Sequence, residues 1–199
     1  DSRNVAGARY AGLTQTYDLM PTLLDAFGLD IPSEVQGHSL LGLVENGMTP
    51  GRDIGIFGMF GGPIGATDGR YAYYLYPPDL YAPGLHEYTL MPTHIRSMFS
   101  AAELQTAELV RDFGFTKEMP VMRIDALKDS RRIPNVDKRV FENLGTQLFD
   151  LKRDPGQTSP ITDPAIEARL RAGMVDVLAA HDAPHELYAR YGLERDPDA

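Results

Sequence analysis

The sequence predicts an α+β fold, a small antiparallel sheet with helices packed on one face. Three observations carry this. Ile54 to Phe60 and Arg70 to Tyr76 are short, aromatic, β-rich runs, punctuated by Gly61-Gly62-Pro63 and Asp68-Gly69. A third such run, Gln147 to Leu151, closes on Asp154-Pro155-Gly156. Ile166, Leu170, Met174, Val177 and Leu178 recur at helical spacing behind Asp163-Pro164, which predicts a helix over Ala165 to Ala180.

Taken in order, the first element is a helix over Asp18 to Phe27. Asp18 suits the N-cap, where its side chain would accept from free N–H groups of the first turn. Pro21 falls where a missing N–H costs nothing, and Gly28 suits the left-handed residue beyond the end. Leu19, Leu23, Leu24 and Phe27 supply an apolar face. A Pro-containing loop from Leu29 to Gly37 leads to a short apolar turn at Ser39 to Val44. Asp-Gly between strand-like runs signals a hairpin, and in the second run Tyr71, Tyr73 and Leu75 point one way. Pro77-Pro78 ends it. The stretch Asp79 to Arg139 reads as an insertion with one helix, opened by the capping box Ser100-Ala101-Ala102-Glu103. The domain reading is 1–45 as the end of an α/β catalytic domain and 46–199 as a C-terminal subdomain, with the insertion at about 79–139.

Composition narrows function. The 199 residues carry net charge −9, with 43% hydrophobic residues and neither Cys nor Trp. An acidic balance argues against nucleic acid or an anionic membrane as partner. Without Cys there are no disulfides, thiolate metal sites or cysteine nucleophiles. No apolar run approaches the roughly 20 residues of a membrane span. Asp1 stands where an initiator Met would be, so the chain reads as a piece of a longer polypeptide, the alternative being a matured chain.

The catalytic search finds no Gly-x-Ser-x-Gly elbow, phosphate loop or His-Glu-x-x-His. Gly58-Met59-Phe60-Gly61-Gly62 is flanked by strand-like residues and opens no helix, so it reads as strand-edge or bulge glycine. The carboxylates form no acid–base dyad legible in sequence.

Three segments carry a resemblance. Tyr17-Asp18-Leu19-Met20-Pro21-Thr22-Leu23-Leu24-Asp25-Ala26-Phe27-Gly28, followed by Val35-Gln36-Gly37-His38-Ser39-Leu40-Leu41, resembles the Asp-Leu-x-Pro-Thr-Leu-Leu…Gln-Gly-x-Ser-Leu segment of the sulfatase family, within the alkaline phosphatase superfamily. Thr67-Asp68-Gly69-Arg70-Tyr71-Ala72-Tyr73 resembles its Gly-x-x-Lys-Tyr strand. Gln147-Leu148-Phe149-Asp150-Leu151-Lys152-Arg153-Asp154-Pro155-Gly156-Gln157 resembles its closing Glu-Leu-Tyr-Asp-Leu-x-x-Asp-Pro-x-Glu motif. They occur in family order and cover most of the chain.

The resemblance implies the C-terminal part of a sulfatase, with the parent an α/β enzyme hydrolysing sulfuric esters. Such enzymes use a formylglycine made from Cys or Ser in Cys/Ser-x-Pro-x-Arg, and a calcium ion held by Asp and Asn, including an Asp-His-Gly motif. None of these motifs occurs here: Ser2 and Ser130 lack x-Pro-x-Arg, and no Asp-His-Gly is present. The implied partners are an upstream catalytic domain and a sulfate-ester small molecule or sulfated carbohydrate. This chain alone is expected to be inactive, with no catalytic residue and no tight calcium site of its own. That domain is also expected to cover the Asp18 to Phe27 helix, leaving its Leu and Phe exposed in this chain.

The substrate-binding candidates lie in the insertion. His94 and Arg96 are two apart in Tyr88 to Ser100, so in an extended segment they point the same way. A His beside an Arg can hydrogen-bond the oxygens of a sulfate ester. The structural alternative is an Arg in a salt bridge and a His capping a loop. Lys117, in the aromatic loop Phe113-Gly114-Phe115-Thr116-Lys117, is a third candidate, its alternative being solvated surface. His38 on a turn, His86 in a Pro/Gly loop, and His181 and His185 ending the last helix read as structural. The competing functions are a phosphonate or phosphate monoester hydrolase of the same superfamily, and a non-catalytic binding or assembly module.

Overall fold

The helix that begins the first motif forms, and it leaves most of its apolar face open, as expected for this chain. The computed structural model describes residues 9–47, 51–94, 97–127 and 145–193. A 3-10 turn at Thr16–Asp18 runs into α1, Leu19–Ala26, and α2 follows at Leu41–Asn46. Gly28 takes φ +67° as expected, and Leu29 N donates to Leu24 O at 2.9 Å, closing the helix end. Leu19, Leu23 and Phe27 are 57, 60 and 77% exposed, whereas Leu24 is half-buried and Pro21 buried. Asp18 does not cap α1: its carboxylate closes the preceding 3-10 turn by accepting from Gln15 N, and takes Arg52 and His38 N as longer-range partners.

Among the described residues seven strands form two sheets: β1 Gly55–Gly58, β2 Ile64–Thr67, β3 Tyr71–Leu75, β4 His86–Thr89, β5 Glu108–Val110, β6 Val121–Asp125 and β7 Gln147–Asp150. The first sheet has order β1-β2-β3-β7, so the three expected strands share one sheet. β2 was not foreseen. Its Ile-Gly-Ala-Thr sequence is short and sets Gly and Ala between the two β-branched residues, which blunts the alternation, yet Ala66 is fully buried. Tyr73, Leu75, Leu148 and Phe149 supply core side chains.

The second sheet, antiparallel with order β4-β6-β5, occupies the stretch read from sequence as a helix-bearing insertion. Tyr88 and Glu108 both pair with Arg123, and Thr89 and Leu109 both pair with Met122. His86 therefore lies on a strand rather than in a loop. The capping box forms at α3, Ala101–Leu104: Glu103 N donates to Ser100 Oγ at 3.2 Å and Ser100 N to Glu103 Oε2 at 2.6 Å.

α4, Pro164–Ala180, matches the sequence reading closely. Ala165 N and Ile166 N donate to Asp163 Oδ1, and Leu170, Met174 and Leu178 are buried. Its glycine has a purpose: a Cβ on Gly173 would lie 2.7 Å from Ile54 Cγ1, so only glycine permits this approach beside β1. The chain then forms one more helix, α5 at His185–Tyr191. His181 thus follows α4, whereas His185 opens α5 instead of ending the last helix.

By contacts the chain divides into two compact units. One comprises Asp1–Phe57, Ala66–Tyr73 and Leu148–Met174; the other comprises Gly58–Gly65, Tyr74–Gln147 and Val175–Ala199.

Candidate functional site

In the first unit the motif residues interlock around Asp18. This carboxylate is fully buried and receives Arg52 bidentately at 2.6 and 2.8 Å, Gln15 N at 2.7 Å and His38 N at 2.9 Å. Burial pushes its pKa up, but the guanidinium and the two backbone donors outweigh burial and hold it well below the usual carboxylate range. Thr22 Oγ1 donates to Asp18 O at 2.6 Å and accepts from Leu40 N at 2.8 Å. Ser39 Oγ donates to Asp25 Oδ2 at 2.5 Å. A Cβ on Gly37 would fall 2.4 Å from Tyr17 O, which requires glycine there. Asp18, Thr22, Asp25 and Ser39 of the first motif thus clamp the 37–41 segment onto α1. None of them is left to do chemistry.

The other two motifs are built similarly. Asp68 Oδ1 receives Arg70 N and Tyr71 N at 2.8 and 2.7 Å, and its Oδ2 receives Arg169 at 2.5 Å. Asp150 is buried and meets Arg70 at 3.3 Å, with Lys152 N donating to it at 3.1 Å. Asp154 Oδ2 receives Thr158 N and Ser159 N, each at 2.8 Å. These carboxylates hold turns. Carbonyls of the Gly58 to Gly62 run accept side-chain donors: Arg190 donates to Gly61 O at 2.7 Å and Tyr191 to Gly62 O at 2.5 Å. That polarity suits a cation and opposes a phosphate cradle.

The second unit holds the more versatile chemistry. His94, in the short loop bounded by the Thr93–Met98 bridge, meets Glu87 Oε2 through Nδ1 and Glu103 Oε1 through Nε2, both at 2.9 Å. Phe99 lies against the ring at a centroid distance of 4.2 Å. Glu103 is buried, and its other oxygen serves the capping box. Arg96 lies outside the described residues. Lys117 is exposed and left-handed, at φ +51°, beyond the 3-10 turn Gly114–Thr116.

Across β4 lies a second histidine cluster. His86 Nδ1 meets Glu186 Oε1 at 3.0 Å and its Nε2 approaches Asp125 at 3.4 Å, while Tyr88 OH donates to the same Glu186 oxygen at 2.8 Å. Burial, together with Glu186, pushes the Tyr88 phenol up to about 12. That excludes it as a base near neutrality. Sequence reasoning missed Glu87 and Glu186 as site residues. Strand alternation separates Glu87 from His86 and Tyr88, but only the fold supplies the facing partners. Glu103 was visible in the capping box, although not as a partner of His94.

No family model and no curated protein matches the chain. Among solved structures it is similar to a Bacteroides thetaiotaomicron S-sulf protein from work on a core genetic locus for metabolism of multiple glycosaminoglycans. The identity is 18% and the TM-score 0.45, over 87% of this chain and 29% of that one. The chain therefore spans less than a third of that neighbour's length.

Proposed function

We propose that this chain is the C-terminal region of a sulfuric ester hydrolase, acting with a catalytic domain that supplies the nucleophile and calcium. The observation that carries the reading is that three sulfatase-like motifs, in family order, have polar residues spent on clamps and turns. The helix of the first motif meanwhile turns Leu19, Leu23 and Phe27 to solvent. A support region with an unpartnered apolar helix is what a divided enzyme requires. The sequence has neither a formylglycine precursor motif nor the calcium motif, so the reading assigns both to the other domain.

Within that enzyme, Arg96 is assigned to the anionic oxygens of the substrate, with His94 anchoring the segment and Lys117 adding charge. Losing one charge-assisted contact costs about 1.5–3 kcal/mol. Arg96→Ala in the complete enzyme is therefore expected to lower kcat/KM roughly 10- to 100-fold with little change in Tm. Unchanged kinetics, or a matching loss of stability, overturns the assignment. Paired assays on sulfate and phosphate esters test the reaction class. The isolated chain is expected to turn over neither.

A further inference from the structure

Three ligand-bearing side chains of the second unit converge from separate pieces of chain. Glu87 lies on β4, Glu103 on α3, and His94 in the loop that the Thr93–Met98 bridge closes. One donor atom from each lies within 4.8 Å of the other two.

Two features set this group apart from a surface patch of acids. The first is a nitrogen donor held in a fixed plane: Phe99 packs on the imidazole at 4.2 Å and Glu87 occupies Nδ1. A carboxylate on one ring nitrogen sets the tautomer and raises the basicity of the other, the arrangement that orients metal-binding histidines. The second is the state of Glu103, whose side chain is 5% exposed. Its Oε2 is tied to Ser100 N, and that bond turns Oε1 toward His94 Nε2. Bonds of about 2.1 Å place neighbouring ligand atoms about 3.0 Å apart in octahedral geometry and about 3.4 Å apart in tetrahedral geometry. The Nε2–Oε1 distance of 2.9 Å needs an opening of only a few tenths of an ångström.

We propose that His94 Nε2 and Glu103 Oε1 bind a divalent cation of the zinc class, with Glu87 orienting the imidazole through Nδ1. The ion takes the place of the proton between Nε2 and Oε1, which leaves to solvent. Solvent completes the coordination shell. A mixed imidazole and carboxylate donor set favours Zn²⁺, Co²⁺ or Ni²⁺, whereas calcium takes six to eight oxygens. The site is formed wholly by this chain and does not depend on the ester-hydrolase reading.

The test is calorimetric titration of Zn²⁺ into the chelator-treated full chain, with Co²⁺ followed in parallel by visible absorption. One saturable site per chain is expected. His94→Gln and Glu103→Gln are expected to weaken binding more than tenfold, and Glu87→Gln roughly tenfold as a loss of ring orientation. His181→Gln, just beyond α4, is expected to leave binding unchanged. Circular dichroism establishes that each variant is folded; should Glu103→Gln unfold with loss of its capping box, His94→Gln and Glu87→Gln decide. Absence of saturable binding to the folded wild-type chain, or binding that His94→Gln leaves intact, overturns the proposal.

Discussion

In the first unit the buried Asp18 is met by the guanidinium of Arg52; in the second the buried Glu103 is met by the imidazole of His94. Both carboxylates also accept backbone N–H groups, so their surroundings are alike in kind. The difference lies in the cation. Arginine is charged at every accessible pH and grips both carboxylate oxygens with its planar fork. Histidine carries a proton that it can lose, and its two nitrogens reach two different acids. The first centre is consequently a permanent fastener, and the second is exchangeable in principle. Function belongs where a bond can be traded.

The sharpest way to break this comparison is to remove Arg52. Arg52→Ala leaves Asp18 buried without its countercharge and is expected to cost about 3–5 kcal/mol. Urea unfolding measures it; a loss below about 1 kcal/mol means that Asp18 is reached by solvent. His94→Ala is expected to cost less, about 1.5–3 kcal/mol, as the charged acceptors lose one partner each. If it costs as much as Arg52→Ala, the second centre is equally a fastener.

Acid distinguishes the centres further. The folded-state pKa of Asp18 is depressed, so its contribution to stability is present above the unfolded value near 3.9. That contribution is lost progressively as pH falls below about 4 toward the folded value. Stability followed from pH 6 to pH 2 is expected to drop in this window, and the slope is expected to flatten in Asp18→Asn. An unchanged slope means that other carboxylates dominate. The smallest effect is expected for Ser100→Ala, about 1 kcal/mol for one half of the capping box. A much larger loss indicates that the box also sets the position of Glu103 against His94.

Much of the local chemistry was legible in the sequence. Asp163-Pro164 at the start of α4, the Ser100–Glu103 box and the left-handed Gly28 each depend on bonds spanning a few residues. The three β-rich runs were legible because alternation and aromatic content mark half-buried strands. Much less was visible between residues 79 and 127. There the polar strand His86 to Thr89 and the short strand Glu108 to Val110 are held by pairing with β6, and pairing partners leave no periodic trace in either segment alone. The apolar face of α1 was legible too, and Leu19, Leu23 and Phe27 stand exposed as expected. Hydrophobic spacing shows which side a helix offers for burial, but not whether this chain covers it.

The same division runs through the site. Residue type and spacing marked His94 as a candidate, since a titratable ring beside an arginine has chemistry wherever it lies. That Glu87 and Glu103 stand at its two nitrogens follows from a strand, a bridged loop and a short helix brought together across 16 residues. Asp18 illustrates a different outcome: its carboxylate caps the 3-10 turn through Gln15 N rather than α1, and a guanidinium 34 residues away grips it as well. A buried charge binds the strongest donor that the fold delivers, so short-range signals determine the helices, turns and caps. Only tertiary structure decides which carboxylate becomes a fastener and which a site.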